Sequence, residues 1–319
     1  MSDKRVINIV GNILMLLSLA FIVNRIIEYR IDFSSIFSIW PLIILAISII
    51  TYALVVIALA NIFYVLLKLF GNREISKYNS ILIYCKSNLY KYLPGNIFHY
   101  VGRNQIAINE GASHGAVIAA TIAEILLLTL AAVITAITFA GQYAVSLLLD
   151  SFTIKVILIL LILIVLVILA AIILYKVNSR VREWVIGNTN QINRIRFTIA
   201  IKFIMAYIIN FILNGVMFIM VLYSIGGEIS NNLIVPVIGM YTLSWIIGFV
   251  TPGVPAGLGI REVIMSAMLI GVVDPELVII AVVLYRIVTI MGDVVAFIIA
   301  HQLRRILSCH HFLISSRFS

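Results

Sequence analysis

The chain has 319 residues, 63% of them hydrophobic and 11% charged, with a formal net charge of +9 and a mean hydropathy of +1.17. A soluble domain carries roughly 45–50% apolar and about 25% charged residues, so the composition excludes a water-soluble globular fold and fits an all-α polytopic membrane protein. The positive charge does not point to nucleic acid, because the basic residues lie in short loops between apolar runs and form no basic domain.

In chain order, the first apolar segment, about 6–24, follows Lys4 and Arg5 as a signal peptide would. It runs on into Asn24 and Arg25 without a small-residue cleavage site, so it is read as an uncleaved first span. A second long segment covers about 37–66. The next, YNSILIYCKSNLYKYLPGNIFHYVGR at 78–103, is apolar and aromatic but too interrupted to cross a bilayer alone. Long segments follow at about 113–140, 154–175 and 197–224. Two shorter ones, about 233–250 and 258–272, flank the stretch VTPGVPAGLGIRE at 250–262, and a last long one covers about 277–301. The expectation is about six long transmembrane helices plus two Pro/Gly-broken segments, in a single domain with a cytoplasmic tail at 302–319.

With the N-terminus inside and alternation at each long helix, 17 of the 22 basic residues fall on the cytoplasmic side, which fixes N-in, C-in. Cys85 and Cys309 then lie near the cytoplasm, where a structural disulfide is not expected. Neighbours such as Cys309, His310 and His311 make poor joint ligands of one metal ion, so an unstructured tail is expected there, with no metal and no cofactor.

The same topology contains a symmetry. A first unit, about 37–140, and a second, about 197–301, each place an interrupted segment between two long helices, and they run in opposite directions. Each interruption contains Pro-Gly followed by a glycine and an arginine. Inverted repeats with paired, Gly/Pro-broken short segments mark a transporter's binding site near the bilayer midplane. Re-entrant hairpins and short complete spans both satisfy the pattern.

Ionised side chains at the centre of a membrane helix cost about 2.5–3.5 kcal/mol on the insertion scale. Arg286 and Asp293, Glu124, and the pair Arg261–Glu262 all stand at such depth. They either neutralise one another, Arg286 with Glu262 or Asp293 for example, or line a polar cavity for a charged substrate. Lys155 and Lys202 lie near helix ends, where their heads reach the interface.

Pro252 and Pro255 cannot continue a helix, and Gly253, Gly257 and Gly259 permit unusual dihedrals and close approach. Backbone broken at this depth is tolerated only against protein or a water-filled cavity. A helix starting near Gly259 presents its positive end to that cavity beside Arg261, which suits an anion such as a lipid phosphate. Glu262 balances the arginines or pairs with an amine or a proton.

The first unit offers Lys91, Pro94, Gly95, Tyr100, Gly102 and Arg103. Tyr84, Tyr90, Tyr92, Phe98 and Tyr100 form either an interfacial aromatic belt or a substrate-facing surface. Asn210 and Asn214 share a helix face and either join helices or touch substrate.

At these residues the sequence resembles a known family. KYLPGNIFHYVGR at 91–103, Glu124, VPAGLGIRE at 254–262 and Tyr285-Arg286 are similar to the lysylphosphatidylglycerol synthetase transmembrane-region family, also called flippase-like. The similarity runs from about residue 6 to 303, with Ala256 where the family usually has glycine. It implies a domain of a prokaryotic cytoplasmic membrane that moves lipids between leaflets. The soluble aminoacyl-transferase domain of some members is not expected here, since the chain ends about 18 residues after its last apolar segment.

The expected function is translocation of an anionic lipid or a polyprenyl-phosphate-linked intermediate, without catalysis. The expected binding residues are Arg261, Glu262 and Arg286, with Gly257 and Gly259, and on the opposite side Arg103, Glu124, Pro94 and Gly95. No GxxxxGK[ST] motif occurs, so ATP drive requires a partner chain. The rival readings are a membrane glycosyl or acyl transferase and a non-catalytic scaffold partnering an envelope-biosynthesis enzyme.

Overall fold

The computed structural model describes residues 38–71, 75–92, 98–148, 197–251, 254, 257, 259–269 and 272–315, with side chains of 142–148 and 307–315 excepted. The expected spans at 6–24 and 154–175 lie outside these residues, as do Pro94, Gly95, Pro252, Gly253, Pro255 and Ala256.

The described chain is all-α. In order it forms α1 (Ile39–Leu69), α2 (Lys77–Asn88), a 3₁₀ turn (Leu89–Tyr92), α3 (Phe98–Asn109), α4 (His114–Leu148), α5 (Phe197–Ser224), a second 3₁₀ turn (Asn231–Leu233), α6 (Ile234–Val250), α7 (Ile260–Leu269) and α8 (Pro275–Ser315). Five helical stretches are long and apolar enough to cross a membrane: 39–69, 114–141, 197–224, 231–250 and 275–306. They make the chain an integral membrane protein. At 1.5 Å per residue, the 31 residues of α1 outreach the ~30 Å hydrocarbon core.

The helix ends follow local chemistry. Ser76 caps α2 by accepting from the Asn79 amide at 3.2 Å. α8 begins with Pro275, whose missing donor is not needed in a first turn, and the Asp274 side chain accepts from the Glu276 amide at 3.0 Å. α4 breaks at Gly141, which has φ 50° and ψ −142°.

Two interrupted elements take shape within the sequence expectation, and the last helix departs from it. Segment 78–103 divides into α2, the 3₁₀ turn and α3, and the last continues to Asn109. α7 has ten residues, so it reaches only about 15 Å and does not cross alone. α8 continues to Ser315, where an unstructured tail was expected after 301, because nothing between His301 and Ser315 is Gly or Pro to stop it.

α1 packs on α8, α2 and α5, while α4 packs on α6 and α5, and α7 lies between α6 and α8. Glycine brings backbones together at the tightest crossing: a Cβ on Gly239 of α6 would stand 2.1 Å from the Ala140 nitrogen of α4. One apolar cluster gathers Phe63, Leu66, Ile83, Val117 and Phe211, and a second gathers Phe218, Leu222, Val237, Met240, Leu269 and Val288. Ile47, Ile50 and Leu54 on α1, Leu126, Leu130 and Ile137 on α4, and Ile287, Met291 and Ile298 on α8 point outward. Such an apolar exterior is disfavoured in water and suits hydrocarbon.

Candidate functional site

A cavity of about 180 Å³ opens among α1, α2, the first 3₁₀ turn, α3, α4, α5, α6, α7 and α8. It is smaller than the ~300–1,000 Å³ typical of sites for drug-sized ligands, so its size suits a small polar group. Lys91, Arg103, Glu124, Arg261, Glu262 and Arg286 all line it, together with Tyr52, Tyr92, Tyr241, Trp245 and Tyr285.

On one wall stands Arg103, 2% exposed, in α3. Its guanidinium pairs with Glu124 of α4, and its Nε donates to Ser87 Oγ at 3.1 Å. The other Glu124 oxygen accepts from the Tyr84 hydroxyl at 2.8 Å. The rings of Phe63 and Tyr84 lie 4.7 and 4.2 Å from the guanidinium carbon. The charge is matched by a carboxylate, and both carboxylate oxygens have donors, which is what burial of an ion pair demands. Of the sequence candidates, these two are therefore joined to each other.

Half-way along α8, Asp293 is fully buried and receives two donors on Oδ2: Lys91 Nζ at 2.6 Å and the Tyr92 hydroxyl at 2.5 Å. Both donors come from the 3₁₀ turn that ends the first half of the interrupted segment. Lys91 also sits over the rings of Tyr92 and Tyr52, at 5.3 and 6.0 Å. Tyr52 packs so closely on α8 that a Cβ at Gly292 would meet its ring at 2.4 Å. Two turns earlier, Arg286 bridges both interrupted segments: its Nε lies 3.6 Å from Glu262 Oε1, and its guanidinium carbon lies 5.8 Å from the Tyr92 ring. Asp293 thus pairs with Lys91 and Arg286 with Glu262.

The third part is Arg261, in the first turn of α7. Gly257 and Gly259 hold φ of 68° and 84°, the left-handed region that glycine enters without a Cβ penalty. The bend they permit returns the chain so that α7 starts against the end of α6. Space for the Arg261 stem comes from missing side chains: a Cβ on Gly248 would meet its Cγ at 2.4 Å, and one on Gly257 its Nε at 2.7 Å. The guanidinium lies over Trp245 at 5.4 Å, and Trp245 stacks on Phe249 at 5.0 Å. Its Nε is buried with no hydrogen-bond acceptor, and no carboxylate among the described residues lies within 4 Å of Arg261.

The aromatic side is held by Asn214 of α5. Its Oδ1 accepts from Tyr285 at 2.8 Å and from Tyr241 at 3.4 Å, while Nδ2 donates to the Asn210 carbonyl at 2.7 Å. The Tyr241 and Tyr285 rings meet at right angles, 5.5 Å apart. Asn214 thus joins helices and lines the cavity at once.

Arg261, Glu262, Arg286, Arg103, Glu124 and Gly257 are therefore brought to or against one cavity, and Gly259 shapes the turn beside it. Lys91 and Asp293 complete the ionic set. Tyr52, Tyr241 and Trp245 carry no charge, and their only sequence signal was a polar tip inside an apolar helix, while Tyr285 stood out only beside Arg286 in the family resemblance. Among the described residues, four cations (Lys91, Arg103, Arg261, Arg286) meet three carboxylates (Glu124, Glu262, Asp293). The arrangement has one positive charge to offer an anion.

Compared with protein-family models, curated proteins and solved structures, the chain matches none of them.

Proposed function

We propose that the protein translocates an anionic lipid, or a lipid-linked intermediate with an anionic headgroup, between the leaflets of a prokaryotic cytoplasmic membrane. The observation that carries this reading is Arg261, a cation at a cavity wall with no carboxylate partner among the described residues. A purely structural ionic core has no reason to keep an unmatched charge.

The finer architecture belongs to the same proposal. In it, the chain enters and ends on the cytoplasmic side, crosses with six long helices, and repeats one unit in inverted orientation. Two helices stand between two long ones in each unit, α2 and α3 between α1 and α4, α6 and α7 between α5 and α8, which supports the repeat, with α6 alone of the inner four long enough to cross. So does the meeting of both interruptions at α8, Lys91 and Tyr92 from one and Glu262 from the other. The likeness to the flippase-like family agrees with this and supplies the lipid as cargo. The cavity admits the headgroup while acyl chains remain in hydrocarbon, as α1 and α4 with their apolar outer faces allow.

The test uses purified protein in vesicles containing a trace of fluorescent phosphatidylglycerol, with an impermeant quencher reporting the exposed leaflet. Wild-type protein exposes the inner pool, and Arg286→Ala or Arg261→Gln does not, at equal incorporation. Equal rates in wild type, both variants and protein-free vesicles would remove the proposal. A change in lipid chemistry rather than sidedness would favour the transferase reading.

A further inference from the structure

The cavity sets more than the sign of its ligand. Among the described residues Lys91 is matched by Asp293, Arg103 by Glu124 and Arg286 by Glu262, and Arg261 is left with a single charge to satisfy. From this count we infer that the cavity selects a headgroup carrying one negative charge, a phosphodiester, and discriminates against phosphomonoesters, diphosphates and uncharged headgroups. The inference rests on the translocation reading for its lipid, but not for its charge rule.

The physical ground is the cost of unmatched charge away from water. A monoanion beside Arg261 brings the described ionic groups of the cavity to neutrality. A dianion leaves one negative charge without a counter-ion, and a neutral headgroup leaves Arg261 as it is. The nearest carboxylate in the chain sharpens the rule: Glu262 is 6% exposed, and its Oε2 has no hydrogen-bond partner. A second ligand charge placed there meets repulsion. The walls suit a compact polar group, since the hydroxyls of Tyr241 and Tyr285 are already donated to Asn214 and the Trp245 face is covered by Arg261. At about 180 Å³ the cavity takes one such group.

Trp245 is a built-in reporter, because a ligand that engages Arg261 alters the cation resting on the indole. With Trp40→Phe and Trp184→Phe, Trp245 is the remaining tryptophan of the three in the chain. The probes, in non-ionic detergent at pH 8, are dihexanoyl phosphatidylglycerol, dihexanoyl phosphatidic acid, dihexanoyl glycerol and water-soluble glycerophosphoglycerol. At that pH the phosphomonoester is a dianion, since its second pKa is about 6. Saturable emission changes are expected for phosphatidylglycerol, with phosphatidic acid and the neutral lipid weaker by about tenfold or more. Glu262→Gln, which adds one net positive charge, should move the preference toward phosphatidic acid, and Arg261→Gln should remove the preference for phosphatidylglycerol.

Glycerophosphoglycerol binding as well as the lipid supports the charge rule with a free phosphodiester as ligand. Binding of the lipid alone supports it with the chains contributing. Equal or tighter binding of phosphatidic acid by the Trp245 reporter protein, or an unchanged preference in Glu262→Gln, overturns it. Charge-selective binding without lipid movement in vesicles would sink translocation and leave this inference standing. Lipid movement without charge selectivity would do the reverse.

Discussion

Two arginines face the same cavity under opposite conditions. Arg103 has a carboxylate, a serine hydroxyl and three aromatic faces, and its carboxylate partner is itself bonded to a tyrosine. Arg261 has one indole face, a buried Nε without an acceptor, and no acid within 4 Å among the described residues. A charge buried with all its partners serves cohesion, and one held in place without them has capacity left for a ligand. Depth in an apolar segment cannot separate the two. The distinction lies in who else is within reach.

The contrast is broken most sharply at the first arginine. Glu124→Leu leaves Arg103 buried without its anion and should lower stability by about 3–5 kcal/mol. The measurement is thermal unfolding in detergent, and an unshifted midpoint would mean that this pair is not cohesive. Arg261→Gln should do the opposite. Its melting midpoint stays within a few degrees of wild type or rises, as is common where an unmatched functional charge is removed, while lipid movement falls by about tenfold or more. A loss of stability like that of Glu124→Leu would erase the comparison.

Intermediate in size is Lys91→Met, which removes the cation from a fully buried Asp293. A loss of about 2–4 kcal/mol is expected, and Asp293→Asn on the same background should restore most of it. Additive losses in the double variant would show that the two side chains act separately. The smallest effect belongs to the bridge between Arg304 and Glu110, which also accepts from Asn79 at 3.0 Å. The pair is partly exposed, so Glu110→Gln should cost about 1 kcal/mol or less, read from the same melts.

Much of the scaffold was legible because a bilayer imposes long apolar runs. The segment expected at 197–224 coincides with α5, and 37–66 and 113–140 anticipate α1 and the straight part of α4. α7 was overdrawn, since hydropathy registers composition and not where a ten-residue helix stops. The ionised residues at helix centres stood out in the sequence by their cost at depth, and Arg286 with Glu262 was one of the pairings it offered, whereas the partners of Arg103 and Lys91 were not legible. Arg103 and Glu124 sit on separate helices, and Lys91 reaches α8 from a turn far away in the chain. The tyrosines near residue 90 showed the same limit. An aromatic belt was one reading of them, yet Tyr84 and Tyr92 turn inward because each hydroxyl finds a buried carboxylate.

Asn214 carries a consequence for substitution. An amide oxygen has two lone pairs, and here they receive hydroxyls from α6 and α8 while the amide nitrogen closes on its own helix. Aspartate would accept the hydroxyls but could not donate to Asn210, and leucine would strand both tyrosines. Tyr241→Phe or Tyr285→Phe removes one donor and leaves the amide the other, whereas loss of Asn214 strands two phenols at once. The carboxamide is therefore the member of this constellation, one amide between two phenols on three helices, whose loss costs most.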